Sequence, residues 1–90
     1  MLREVPTISR FYGIVITMYF GDHPPPHIHV RYGDDLGRIA YGSGEVLTGT
    51  LPGRVVRLVV EWCELHRGEL EENWARAQAK LPLSQIEPLP

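Results

Sequence analysis

Apolar residues recur at every second position as far as Leu51 and at every third or fourth position from Arg54 onward. A period of 2 belongs to strands with one buried face, and a period near 3.6 to a helix with one buried stripe. The change of period specifies an α+β fold, in which a small antiparallel sheet packs against one long C-terminal helix. The sheet should be a meander of about four strands, within residues 8–51. From Phe11 to Phe20, Tyr12, Ile14, Ile16, Met18 and Phe20 alternate with Phe11, Gly13, Val15, Thr17 and Tyr19, which reads as one long half-buried strand. A second strand returns through Ile28, Val30 and Tyr32, and shorter ones cover Leu36 to Tyr41 and Glu45 to Leu51, joined at Gly42-Ser43-Gly44.

Leu51-Pro52-Gly53 marks the start of a helix over about 53–80. Its apolar stripe runs through Val55, Leu58, Val59, Trp62, His66, Leu70, Trp74 and Ala77. The opposite face carries Glu61, Glu64, Arg67, Glu71, Glu72 and Arg76, the composition of a solvated face. Gly68 is the position where this helix is expected to bend. The tail, 81–90, holds Pro82, Pro88 and Pro90 and has to be extended, with Leu83, Ile86 and Leu89 available to cover a sheet edge. The 90 residues make one domain, with no internal repeat.

Hydrophobic residues at 43% and charged residues at 22% exclude both a disordered chain and a membrane span. The N-terminus has Arg3 and Glu4 without an apolar signal core, and Cys63 is the only cysteine, so a cytoplasmic location is expected. A net charge of -2 gives no general attraction to nucleic acid. Any contact with RNA has to rest on a local basic patch.

Three of the four histidines fall in Asp22-His23-Pro24-Pro25-Pro26-His27-Ile28-His29. The prolines cannot donate backbone hydrogen bonds and hold a stiff turn between His23 and His27. On the strand that follows, His27, His29 and Arg31 share one face, with Thr17 and Tyr19 as cross-strand neighbours. This patch admits three readings. His27 and His29, with His23 or Asp22 as a third ligand, suit a divalent transition metal such as zinc or nickel. Alternatively His27 and His29 as acid and base, beside Arg31 and the Tyr19 hydroxyl, suit metal-independent cleavage of an RNA backbone. The third reading is a polar sheet face covered by a partner protein. His66, within the helix stripe, reads as a core histidine.

One further observation is a set of short motifs: Pro6-Thr7-Ile8-Ser9 before Phe11-Tyr12-Gly13-Ile14, Asp22-His23, Pro25-Pro26-His27-Ile28-His29-Val30, Leu51-Pro52, Glu61-Trp62, His66-Arg67 and Asn73-Trp74. Together these resemble the bacterial domain-of-unknown-function family 4160 (DUF4160). The resemblance extends from about Pro6 to Leu89. It implies a small prokaryotic protein, often encoded beside a member of a second uncharacterised family (DUF2442) in a two-gene arrangement like a toxin–antitoxin locus. That neighbour is the expected cognate partner. The resemblance carries no established catalytic role for any residue. An exposed strand edge would equally serve a homo-oligomer.

Overall fold

The period-2 half of the chain folds into five strands, β1 (Thr7–Phe11), β2 (Ile14–Thr17), β3 (Ile28–Tyr32), β4 (Asp35–Ile39) and β5 (Val46–Gly49). They form a single antiparallel meander in the order β1-β2-β3-β4-β5. The computed structural model describes residues 6–90, so Arg3 and Glu4 lie outside the described residues. Among those residues no helix is long and apolar enough to cross a membrane.

The fifth strand is a correction. The run expected as one strand from Phe11 is a hairpin, because the backbone reverses at Tyr12 (φ 51°) and Gly13 (φ 78°) and pairs Phe11 with Ile14. Positive φ at both central residues is what a two-residue turn needs to match strand twist. Glycine adopts it freely, whereas Tyr12 does so at a steric cost. The register of β1 and β2 shifts between Thr7 and Ser9, and the bulge turns both Ile8 and Ser9 inward while Thr7 and Arg10 stay on the open face.

The inner face of the sheet presents Ile8, Ile14, Ile16, Ile28, Val30 and Ile39, all essentially inaccessible to solvent. Two helices cover it: α1 (Gly53–Leu65) and α2 (Arg67–Gln78). Val55, Val59, Trp62, Cys63, Leu70 and Ala77 complete the core. The expected single helix is therefore two, broken at His66 (φ −124°, ψ 28°) and not bent at Gly68. The His66 imidazole donates from Nδ1 to Glu69 Oε1 at 2.6 Å, a local bond to the first turn of α2. A one-residue break leaves the apolar stripe in phase, which is why periodicity does not reveal it.

The tail lies along β1. Ile86 N donates to Ile8 O at 2.8 Å, and Ile86 and Leu89 are buried. Buried Asn73 holds the tail with both ends of its amide, donating to Ser84 O at 2.8 Å and accepting from Ser84 N at 2.9 Å. Trp62 Nε1 donates to Glu87 O at 2.8 Å.

Candidate metal centre and the groove beside it

The turn between β2 and β3 is fastened to the end of α2. Gly21 N donates to Ala77 O at 3.1 Å, and Gln78 Nε2 donates to Asp22 O at 3.0 Å. Within the turn the Pro24–Pro25 peptide is cis, and the Pro25 carbonyl accepts a hydrogen bond from His27 Nδ1 at 2.7 Å. A carbonyl only accepts, so the Nδ1 proton of His27 is committed there. The other ring nitrogen faces Asp22, with Nε2 2.9 Å from Oδ2. That contact lacks hydrogen-bond geometry, and buried Nε2 has no hydrogen-bond partner. The residue is only 3% exposed. In a neutral ring this nitrogen sets its lone pair against a carboxylate oxygen.

His29 approaches the same oxygen. Its Nε2 lies 2.8 Å from Asp22 Oδ2, with hydrogen-bond geometry, while the two imidazole rings stand 5.1 Å apart. One donor atom from each of Asp22, His27 and His29 lies within 4.8 Å of the other two. Burial raises the Asp22 carboxyl pKa, but hydrogen bonds from His29 and the His23 amide, with the charge of the two imidazoles, outweigh it and hold the group below its ordinary value. Burial pushes His29 down, helped by His27 and Arg38, and the attraction of Asp22 does not restore it. Because a carboxylate only accepts, His29 donates from Nε2 to Asp22, and a metal at that nitrogen would take the place of this proton.

The family model described as "Domain of unknown function (DUF4160)" matches residues 13–75, more than two thirds of the chain. The chain belongs to the DUF4160 family. The matched span takes in Asp22, His27, His29 and Trp74, whereas β1 and the tail lie outside it. No curated protein and no solved structure matches the chain.

In this DUF4160 chain the residues named from sequence are not all brought together. Asp22, His27 and His29 converge. His23 is exposed and lies outside the cluster: its backbone amide donates to Asp22 Oδ1 at 2.9 Å, and adjacent residues of an open turn project to different sides. His27 does not share an exposed face with His29, because Trp74 of α2 packs against it with ring centroids 5.6 Å apart. Thr17 does pair with His29, and the Tyr19 ring stands edge-on to His29 at 4.4 Å.

His29, Tyr19 and Arg31 line a groove of about 780 Å³ on the open face of the DUF4160 sheet. Thr7, Thr17, His29, Arg38 and Thr48 form one row in register across all five strands. Arg10, Val15, Arg31 and Leu36 form a second. Arg10 and Arg38 are additions to the sequence reading. Arg38 was accessible to it, since a Gly33-Asp34 hairpin pairing Tyr32 with Asp35 sets Arg38 opposite His29. Arg10 was not, because its face depends on the bulge in β1.

Proposed function

We propose that this DUF4160 protein is a divalent transition-metal-binding domain whose ligands are Asp22, His27 and His29. One observation carries the reading: buried His27 gives its Nδ1 proton to a backbone carbonyl and turns an unpartnered Nε2 toward a carboxylate. A hydrogen bond from one ring nitrogen to a carbonyl fixes the tautomer of a histidine whose other nitrogen binds metal. A cation between Nε2 and Oδ2 removes the repulsion, and that cation is either a metal or a second proton on His27. Donor separations of 2.8 and 2.9 Å are shorter than the roughly 3.3–3.6 Å between ligands about 2.0–2.2 Å from a tetrahedral centre, so a small opening of the cluster would admit the ion. Two imidazoles and one carboxylate are the donor set of catalytic zinc and of ferrous sites.

His29 belongs to both the triad and the groove wall, so a metal held there would face a ligand bound on the open sheet face. A metal so placed would supply Lewis acidity to a ligand in the groove. The chain's own residues hold and orient the site, with Trp74 and the α2 terminus keeping the turn in place. The partner-dependent, toxin-like role implied by the family resemblance would be a use of this site. In that case, expression of the chain without its neighbour slows growth, and Asp22→Asn relieves the effect.

The deciding experiment is elemental mass spectrometry on untagged protein, with zinc and nickel titrations of the wild type, Asp22→Asn and His29→Ala. About one equivalent per chain, with affinity lowered at least about 10-fold in each folded variant, is the expected result. A folded wild type that neither retains nor titrates metal assigns the cation to a proton on His27 and overturns the proposal.

A further inference from the structure

The helices behind the sheet carry charges of both signs, Glu61, Glu64, Glu69, Glu71 and Glu72 together with Arg54, Arg57, Arg67 and Arg76. The groove on the opposite face is lined by Arg10, Arg31 and Arg38 and, among the described residues, by no carboxylate. A net charge of -2 therefore conceals a cationic face, and local potential governs what docks in a groove. The three guanidinium groups are exposed, and none makes an ion pair with a carboxylate among the described residues. Tyr19 and Leu36 line the same groove and expose 41% and 60% of their surface.

We infer that the open sheet face binds single-stranded nucleic acid, with Arg10, Arg31 and Arg38 on phosphates and Tyr19 as a stacking surface for a base. Sequence-tolerant recognition of single strands needs a cationic track and aromatic faces together. Five strands about 4.8 Å apart give the track a width of about 19 Å, enough for several nucleotides. An acidic peptide would satisfy the arginines but makes no use of the exposed Tyr19 ring in the same groove. A second copy of the chain applied face to face would set arginines against arginines, which complementarity disfavours. The inference does not depend on the metal site, because none of the three arginines belongs to the triad.

The test is fluorescence anisotropy with labelled single-stranded RNA of about twelve nucleotides, and with DNA of the same sequence, at about 50 mM salt. An oligoglutamate of matched charge is the control, and every titration is run with and without EDTA. Binding that persists in EDTA stands whatever becomes of the metal reading. Affinity should fall with salt, with a logarithmic slope of about −2 for three phosphate contacts. Arg31→Ala with Arg38→Ala should weaken binding at least about 10-fold and flatten that slope, whereas Tyr19→Ala should weaken it about fivefold or more with the slope unchanged. Tighter binding of RNA would add a 2′-hydroxyl contact, and equal binding of both would assign recognition to phosphate and base. No binding of either strand, equal binding of oligoglutamate, or affinities untouched by these surface substitutions would overturn the inference.

Discussion

Trp74 of α2 packs its indole against the imidazole of His27, ring centroids 5.6 Å apart at an interplanar angle of 54°. The contact joins the second half of the chain to the turn that carries the candidate ligands, and it seals His27 from solvent. Removing the indole should cost about 2–4 kcal/mol through lost packing. Trp74→Ala is thus expected to lower the urea midpoint, and metal affinity should fall with it because the His27 ring loses its backing. Trp74→Phe should recover most of both. Metal affinity unchanged in Trp74→Ala would show that the turn alone positions His27.

Asn73 ties the tail to α2 by two hydrogen bonds to Ser84 from a site 1% exposed. Asn73→Ala leaves the backbone groups of Ser84 without those partners and should cost about 2–3 kcal/mol. Hydrogen exchange would locate the effect: protection of the Ile86 amide, which donates to Ile8 O, should fall more than that of amides in β3.

Two glycine-to-alanine substitutions should have opposite signs. Gly49 has φ 118°, and a Cβ there would lie 2.2 Å from Leu36 O, so Gly49→Ala is expected to destabilise by about 2–4 kcal/mol. Gly68 is helical with open space around its Cα, and Gly68→Ala should stabilise by about 0.5–1 kcal/mol. Denaturant midpoints of the two variants check both signs.

Burial in the core pushes the Cys63 thiol up to about 12, with Glu64 adding to the shift. The group is 1% exposed and protonated at neutral pH. A thiol reagent should therefore label the native protein no faster than the core opens, and label it at once in denaturant. Rapid labelling of native protein would show that the α1 face of the core opens without global unfolding.

The layers of this fold were legible in the sequence, and the details that depend on single residues were not. The change from period 2 to period 3.6 at Leu51 to Arg54 separates sheet from helix because each period reflects one buried face. Strand parity likewise fixes Thr17 opposite His29. The Tyr12–Gly13 turn was hidden because Tyr12 keeps the apolar alternation going while its backbone reverses. The break at His66 was hidden because the stripe stays in phase across it. Parity also put His27 on the same open face as His29, but His27 precedes the first residue of β3 and its environment is set by Trp74, far along the chain. Asp22 as the convergent carboxylate was within reach of the sequence; the choice between it and His23 needed the path of the turn.

Because the helical half is divided at His66, α2 is a helix of its own, tied at its C-terminal end to Gly21 and Asp22 by two hydrogen bonds. Its outer side carries Glu69, Glu71 and Glu72, away from the cationic groove. A protein that took hold of that acidic side would be gripping the handle of the candidate site, and a shift of α2 along its axis would reach the Asp22 carboxylate without anything entering the groove.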